Sequence, residues 1–220
     1  MYDAYRAIFD RLGLKYRIVQ ADAGNIGGSQ THEFQLLAEA GEDALLVCEN
    51  SDFAANVEIC PAIDPTPHIN NESEKTQEKF TTPGQKTIAD LAKFTGLAER
   101  ELVKTLFFAT QEDPKDKSLK AIVVLMRGSD EVNLIKLKNM LGMTNPPVML
   151  TDEEVVQVCG ARPGSCGPVG LKIPVYADNG VQGLKNYIVG ANEDGFHLKN
   201  VNHSRDFSIT KFADLRLAQE

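Results

Sequence analysis

The sequence predicts an α+β or mixed α/β fold in which helices flank a mixed sheet. From about residue 82 onward, short apolar runs of strand length alternate with segments of helical periodicity. Clusters of glycine, proline and asparagine separate these segments at irregular intervals. The order contains no internal repeat and no dinucleotide-binding pattern. We therefore predict a layered domain of mixed order, and not a repeat protein or a barrel.

Length and charge limit the possible classes of function. With 220 residues, the chain can form one large domain, or one compact domain and a piece of another. The net charge of −8 is unevenly distributed, because residues 1–70 carry 11 acidic and 4 basic residues and residues 71–220 carry 20 and 19. The nearly neutral second part can bind one end of an RNA, but a broad RNA-wrapping surface is not expected. No DNA partner is expected.

Two further features indicate a cytoplasmic protein. No run of about 18 apolar residues occurs and the amino terminus contains acid, so neither a membrane span nor a secretory signal is expected. The four cysteines are scattered, without a C-x-x-C pair, at Cys48, Cys60, Cys159 and Cys166. This spacing argues against a zinc site and a disulfide framework, and it fits a reducing compartment. No metal site is predicted.

The first 60 residues predict one helix followed by a small antiparallel meander. Apolar positions in residues 2–13 recur at the spacing of an amphipathic helix. Runs typical of strands follow at Tyr16–Gln20, Phe34–Ala38 and Ala44–Cys48. Because this piece is too short to bury both faces of a sheet, we expect it to be part of a larger sheet.

Residues 61–81 are predicted to be a linker, since their prolines, asparagines and charged residues leave little to bury.

Signals for three helices follow the linker. Thr87 with Asp90 three residues later resembles a capping box, and Gly96 stands at the stop position. A second helix is predicted at Asn133–Leu141. A third begins at the capping box of residues 151–154 and ends at Gly160.

The same region predicts five strands. They are apolar runs of strand length, or short runs after turn residues, at Leu106–Ala109, Ala121–Arg127, Ile173–Ala177, Asn186–Val189 and Phe196–Val201.

Three motifs could carry chemistry, and each has a plainer explanation. Lys104, at the start of an apolar strand, could position a phosphate, or it could extend to water from a strand edge. The loop Gly164–Pro168 is rich in backbone N–H groups that could hold an oxyanion, or it could simply connect a helix to a strand. His197, just after a turn, could orient a substrate, or it could be a surface histidine.

Nucleophilic catalysis by a side chain has little support. No G-x-S-x-G elbow surrounds any serine, so a hydrolase triad is not indicated. A Cys–His pair that uses Cys166 remains an alternative, although no acid stands in register to complete it.

The order and spacing of these segments resemble bacterial-type prolyl-tRNA synthetases. The helix near the amino terminus, the G-G-S segment at 27–29, the H-E-F segment at 32–34 and the segment Ser51–Asn56 are similar to the region after the second class II motif. From the T-P-x-x-K-T-I segment at Thr82, through the V-K-T segment at 103–105, to His197, the chain is similar to the editing domain inserted in that synthetase.

The resemblance divides the chain into four parts. Residues 1–60 correspond to part of the class II catalytic sheet and residues 61–81 to the linker. Residues 82–203 correspond to the aminoacyl-tRNA editing domain, which is a deacylase, and residues 204–220 to a return strand into the catalytic domain. The arginine-bearing motifs 2 and 3 and an anticodon-binding domain are not found in these 220 residues. We therefore expect a piece of a synthetase that cannot itself activate proline with ATP.

The resemblance also implies site residues. The catalytic positions would be Lys104, Gly164, Gly167 and His197. The substrate-binding positions would be Thr82, Ile88, Leu91, Asp178, Ser165 and Pro168. Ile88 and Leu91 would form an apolar wall that fixes the pocket size. The remnant of the proline pocket would consist of Gly28, Ser29, His32 and Glu33.

By resemblance, the expected reaction is post-transfer editing, which hydrolyses alanine wrongly attached to tRNA(Pro). The family is thought to use no protein nucleophile, with the terminal hydroxyl of the tRNA assisting water. Editing would need no cofactor, whereas the parent synthetase would ligate proline with ATP and Mg²⁺. The expected partners are the acceptor end of tRNA(Pro) and the remainder of the synthetase, and the parent is expected to be a homodimer.

Two alternatives stay open. One is a freestanding deacylase that acts in trans, on alanyl-tRNA or cysteinyl-tRNA, although the synthetase-like first 60 residues argue against it. The other is a module without chemistry that only binds tRNA or a partner protein, although Lys104, His197 and the glycine loop argue against that.

Overall fold

The computed structural model of the protein describes residues 1–21, 31–38, 41, 44–51, 53–62, 72–110 and 118–218. It divides the chain into two compact units. One comprises Met1–Ala62 with Leu217–Glu220, and the other comprises Ile63–Arg216. The mixed α/β class predicted from the sequence is confirmed. None of the helices in these ranges has the length and apolar composition needed to cross a membrane.

The smaller unit contains one helix and a four-stranded sheet. Its elements are α1 (Tyr2–Arg11), β1 (Tyr16–Ala21), β2 (Thr31–Leu36), β3 (Leu45–Val47) and β4 (Ala54–Asn56). The strand order is β2-β1-β4-β3, and β4 runs parallel to β1 and antiparallel to β3. The prediction of a simple antiparallel meander is therefore wrong. The three residues of β4 are too few to show periodicity, and β4 pairs with β1, a strand that a meander in chain order would keep apart from it.

The larger unit contains three helices and eight strands within the described residues. The helices are α2 (Ile88–Thr95), α3 (Leu134–Leu141) and α4 (Asp152–Cys159). The strands are β5 (Glu78–Thr81), β6 (Val103–Ala109), β7 (Ala121–Arg127), β8 (Val148–Met149), β9 (Val175–Asp178), β10 (Tyr187–Gly190), β11 (Phe196–Val201) and β12 (Lys211–Ala213). One sheet has the order β12-β9-β7-β6-β8 and the other has the order β10-β11-β5.

Strand β7 lies at the centre of the core. All seven of its residues are buried, because both faces of the sheet are covered. Val123 and Leu125 pack into one apolar cluster with residues of β6, α4 and β10. The alternating residues Val124 and Met126 pack into a second cluster with Leu137 of α3.

Both predicted capping boxes are present. The Thr87 hydroxyl accepts from the N–H of Asp90, whose carboxylate accepts from the N–H of Thr87, and α2 ends at Gly96 in the left-handed conformation. Thr151 and Glu154 make the same pair of contacts at the start of α4. These local contacts explain why the helix limits could be read from the sequence.

Two short strands lie where the sequence indicated something else. Strand β5 occupies the end of the predicted linker and pairs antiparallel with β11. Strand β12, in the stretch predicted to return to the catalytic domain, instead pairs parallel with β9 in the larger unit. Both are edge strands, and their pairing partners are distant in the sequence, so no local pattern announces them.

Candidate functional site

A cavity of about 290 Å³ lies in the larger unit. Residues of α2, of β6, of the start of α4, of the loop after α4 and of the paired strands β10 and β11 line it. Lys104, His197, Gly164, Ile88 and Leu91 are among them, so the structure brings these predicted site residues together.

His197 is buried in the wall of this cavity. Only 4% of its surface is exposed, and burial lowers its pKa from 6.5 to about 4. Its Nδ1 lies 2.6 Å from the Oγ1 of Thr82 in a buried hydrogen bond. The imidazole is therefore neutral at physiological pH, and Thr82 sets its orientation from outside the cavity lining.

Thr82 is itself fixed by its backbone. It follows β5 directly, it is fully buried, and its N–H donates to the carbonyl of Gly195 over 2.8 Å. Since β5 pairs with β11, the sheet register places Thr82 beside the strand that carries His197. Thr82 thus contacts His197 and lies outside the cavity lining, and its predicted contact with the substrate stays a prediction.

Lys104 is half-buried near the start of β6. Its Nζ donates to the carbonyl of Gly128 over 3.2 Å. Burial lowers its pKa from the ordinary value, and three nearby carboxylates act in the opposite direction, those of Asp130, Glu131 and Glu99. Lys104 lines the cavity, and its partly desolvated ammonium group is held at the carbonyl of Gly128.

The loop Gly164–Pro168 approaches its neighbours so closely that two glycines are required. A Cβ on Gly164 would lie 2.6 Å from the carbonyl oxygen of Lys86, and the φ of Gly164 is +95°. A Cβ on Gly167 would lie 2.0 Å from the carbonyl oxygen of Gly190. Side chains at these positions would push the loop away from α2 and from β10.

The hydrogen bonds of this loop determine which of its N–H groups are available. The N–H of Gly167 donates to Asn192 Oδ1 over 2.7 Å, and the N–H of Ser165 donates to the carbonyl of Arg162. Among the described residues, no hydrogen-bond partner is recorded for the N–H of Gly164 or of Cys166. Both residues line the cavity. The N–H of Gly167 is therefore already engaged, and the catalytic role that the resemblance implies for Gly167 stays a prediction.

The apolar wall lies on α2. Leu91 is 4% exposed and Ile88 is half-buried, and both pack with Leu102 and Ile188. They stand three positions apart, on one face of the helix, and both line the cavity. This placement agrees with the predicted wall.

Three predicted substrate-binding residues lie outside the cavity lining. The carboxylate of Asp178 accepts from the backbone N–H groups of Gly180, Leu215 and Arg216, so it organises the fold. The Ser165 hydroxyl accepts from the N–H of Gly195 over 3.2 Å. Pro168 is buried at the end of the loop, where its carbonyl accepts from Leu171. These contacts give the three residues structural roles, and their predicted contact with the substrate stays a prediction.

Sequence reasoning did not assign to the site four polar residues of the cavity lining, Lys86, Thr87, Thr105 and Asp152. The Thr105 hydroxyl is buried and has no hydrogen-bond partner in the part of the chain that the structure describes, which makes it available to a ligand. A signal was present for most of them, since Thr105 belongs to the V-K-T segment and Lys86 and Thr87 belong to the T-P-x-x-K-T-I segment.

The alternative of a Cys–His nucleophile is not supported by the thiol. The hydrogen bond with Cys159 and then burial raise the pKa of Cys166 far above its ordinary value. A thiol that holds its proton is a poor nucleophile. In the described ranges, no cluster of three or more histidines, cysteines or carboxylates could hold a metal ion.

The smaller unit has its own cavity, of about 480 Å³. Of the predicted proline-pocket residues, His32 lines it, and its ring meets that of Tyr2 edge to face. Glu33 is exposed and accepts from Gln35. Gly28 and Ser29 lie outside the described residues.

Comparison with known proteins shows the family to which this chain belongs. A family model described as "Aminoacyl-tRNA editing domain" matches residues 82–207. Proline–tRNA ligase of Geotalea daltonii is 49% identical over 216 residues, which are 98% of this chain and 36% of that protein. Proline–tRNA ligase of Staphylococcus aureus strain RF122 is 44% identical over 221 residues, or 37% of its length. The chain thus spans little more than a third of these relatives.

Solved structures share the fold at low sequence identity. The hypothetical protein APE2540 superimposes with a TM-score of 0.51 at 22% identity, covering 64% of this chain and 91% of that one. A protein proposed to be a trans-editing enzyme for prolyl tRNA synthetase superimposes with a TM-score of 0.50 at 20% identity, covering 64% and 86%. These similarities support the architecture described above.

Proposed function

Because this chain belongs to the aminoacyl-tRNA editing domain family, we propose that its cavity hydrolyses the ester of alanine wrongly attached to tRNA(Pro). The observation that carries the proposal is the composition of the cavity wall. It combines a half-buried lysine, a neutral histidine and a loop with two unpaired N–H groups. An ester whose carbonyl becomes an oxyanion needs this combination of groups.

The reaction follows from these groups. A water oxygen bonds to the ester carbonyl carbon, and the carbonyl oxygen takes up negative charge. The N–H groups of Gly164 and Cys166 donate to that oxygen. The bond from the carbon to the ribose oxygen then breaks, the ribose oxygen takes the proton that water loses, and alanine leaves. Fixed backbone donors lower the barrier because they need no reorganisation during the reaction.

Lys104 and His197 position the substrate in this proposal. The ammonium group of Lys104 attracts the phosphate of the terminal nucleotide. The neutral imidazole of His197 offers a hydrogen bond at a place that Thr82 fixes. Neither residue needs to act as a nucleophile, which agrees with assistance from the terminal hydroxyl of the tRNA.

The apolar wall selects alanine by size. Ile88 and Leu91 leave room for a methyl side chain, and they exclude the larger proline ring. Exclusion is needed because preferential binding of the smaller of two apolar residues yields only about 10- to 200-fold discrimination.

The proposal extends to the complete protein of which such domains form part. The relatives are named as proline–tRNA ligases, and we propose that this chain serves a cytoplasmic, homodimeric synthetase of that kind. Its partners are then the acceptor end of tRNA(Pro) and the remainder of the synthetase. ATP and Mg²⁺ serve proline ligation there, and no step of the hydrolysis derived above passes through them.

The test is deacylation of alanyl-tRNA(Pro) by the purified chain. We expect hydrolysis above the rate without protein, and loss of that hydrolysis in Lys104→Ala with an unchanged circular dichroism spectrum. Lys93→Ala is the matched control, because Lys93 is exposed on α2 and does not line the cavity.

Three results would contradict parts of the proposal. If the Lys104→Ala variant keeps the wild-type rate, Lys104 has no role in the hydrolysis. Binding of tRNA without hydrolysis favours a module without chemistry. Faster hydrolysis of cysteinyl-tRNA than of alanyl-tRNA favours the alternative of a freestanding deacylase that acts on cysteinyl-tRNA.

A further inference from the structure

Two thiols lie in contact where α4 is followed by the loop Gly164–Pro168. The Sγ atoms of Cys159 and Cys166 are 2.8 Å apart, closer than the usual contact of two sulfur atoms that are not bonded. Cys159 is the last residue of α4 and is partly exposed, whereas Cys166 is buried in the middle of the loop Gly164–Pro168. Both are free cysteines.

We propose that Cys159 and Cys166 form a reversible oxidation site, at which a peroxide converts the two thiols to a disulfide and thereby slows hydrolysis in the cavity. The change in activity rests on the proposed function, whereas the formation of the disulfide does not. Disulfides in reducing compartments are usually transient and redox-sensing, so four free cysteines do not argue against such a site.

The two thiols differ in the way that this chemistry requires. The hydrogen bond from Cys166 is the largest of the effects that lower the pKa of Cys159 to about 7, so a large fraction of Cys159 is thiolate near neutral pH. The same contact raises the pKa of Cys166, which keeps its proton. Cys159 is therefore the attacking thiol and Cys166 the resolving thiol.

The reaction balances with a peroxide as oxidant. The Cys159 thiolate attacks one oxygen of hydrogen peroxide, the O–O bond breaks, and the departing hydroxide takes a proton to form water. Cys159 is now a sulfenic acid. The Cys166 sulfur then bonds to the Cys159 sulfur, the S–O bond breaks, and the hydroxyl leaves as water with the Cys166 proton. Two thiols are oxidised and one peroxide is reduced to two waters.

The disulfide changes the loop that carries the proposed oxyanion donors. A disulfide bond is about 2.05 Å long, so the two sulfurs must approach each other by about 0.7 Å. The Cys166 sulfur also lies 3.3 Å from the carbonyl oxygens of Ala161 and Arg162, and it loses its proton as a donor to them. These carbonyls belong to the turn that leads into the loop.

Close backbone contacts hold the loop on two sides, away from the cavity. It is held against Lys86 through Gly164 and against β10 through Gly167 and Gly190. A Cβ on Gly190 would lie 2.3 Å from the carbonyl oxygen of Cys166. Movement of the Cys166 sulfur therefore alters the position of its own N–H, and a displacement of about 1 Å at a reacting centre can lower a rate about a hundredfold.

The experiment uses the full chain with Cys48→Ser, because Cys48 is a second exposed thiol. The protein is treated with hydrogen peroxide, and peptide mass spectrometry maps any disulfide by its loss of two hydrogens. Deacylation of alanyl-tRNA is measured before treatment, after treatment and after reduction by dithiothreitol. Cys159→Ser in the same background is the matched control, since Cys159 does not line the cavity.

We expect a Cys159–Cys166 disulfide, a fall in deacylation of at least about tenfold, and full recovery after reduction. Cys159→Ser should form no such disulfide, and it should keep its untreated rate after peroxide. Absence of the disulfide overturns the proposed site, and a disulfide without a fall in rate overturns its effect on the loop. If the untreated protein does not deacylate alanyl-tRNA, the proposed function is contradicted instead. Formation of the disulfide is then tested by mass spectrometry alone.

Discussion

The Oγ1 of Thr82 lies 2.6 Å from the Nδ1 of His197, within the protein interior. The two residues are 115 positions apart in the sequence, and the pairing of β5 with β11 brings them together. The hydrogen bond orients a buried, neutral imidazole, whose ring also meets that of Phe80. A residue outside the cavity lining thus controls a residue inside it.

Replacing Thr82 with Val should slow deacylation while the chain stays folded. The change removes one buried hydrogen bond, worth about 1 kcal/mol, and allows the ring of His197 to turn. We expect a fall in kcat/KM of about five- to tenfold, measured with alanyl-tRNA. Thr82→Ser keeps the hydroxyl and should stay near the wild-type rate. Equal rates in Thr82→Val and wild type would show that the imidazole needs no anchor.

Replacing Leu91 with Ala should change the specificity of the cavity. The smaller side chain enlarges the pocket, so a folded variant should hydrolyse prolyl-tRNA, or another ester larger than that of alanine. The stability should fall by about 2 to 5 kcal/mol, and the rates must be measured where the variant remains folded. Leu102→Ala is the matched control, because Leu102 packs in the same cluster and does not line the cavity. If both variants stay selective for alanine, Leu91 is only a core residue.

Replacing Gly164 with Ala should abolish most of the deacylation. The new Cβ would lie 2.6 Å from the carbonyl oxygen of Lys86, so the loop must move, and its N–H moves with it. We expect a loss of about a hundredfold. Gly170→Ala is the control, because Gly170 also has a positive φ, of +83°, and its Cβ would meet nothing within 4 Å. A comparable loss in both variants would mean that backbone strain, and not the position of the loop, explains the result.

Replacing Asp178 with Asn should destabilise the chain without a specific effect on hydrolysis. The carboxylate holds the N–H groups of Gly180, Leu215 and Arg216, and a hydrogen bond to a charged group contributes about 1.5 to 3 kcal/mol. Urea unfolding should show a loss of that size, with an unchanged rate per folded molecule. An unchanged unfolding midpoint together with a loss of deacylation would show that Asp178 contacts the substrate.

The helices of the larger unit could be predicted well because their signals are local. The caps at Thr87, Asn133 and Thr151 lie within a few residues of the groups that they bind. The limits of β7 and β11 were also predicted correctly, since apolar runs and turns mark their ends. The strands β4, β5, β8 and β12 were missed because each has only two to four residues, too few to show a period. Strands β5, β8 and β12 also pair with strands that are distant in the sequence.

The candidate site likewise has residues that could be predicted from the sequence and residues that could not. The resemblance supplied Lys104, His197 and the wall of α2, and the cavity contains all of them. The roles of Gly167 and Asp178 could not be read from the sequence, because each depends on a hydrogen-bond partner more than twenty positions away. The contact between Cys159 and Cys166 was missed because their spacing matches no known thiol motif.

The division of labour across the cavity has a consequence for evolutionary change. The proposed size-selecting wall consists of side chains on α2, whereas the proposed oxyanion donors belong to the main chain of the loop. A mutation at Ile88 or Leu91 alters which amino acid enters, but it leaves the backbone donors in place. Selectivity in this fold can therefore drift toward new amino acids through single codon changes, while the capacity for hydrolysis is inherited unchanged.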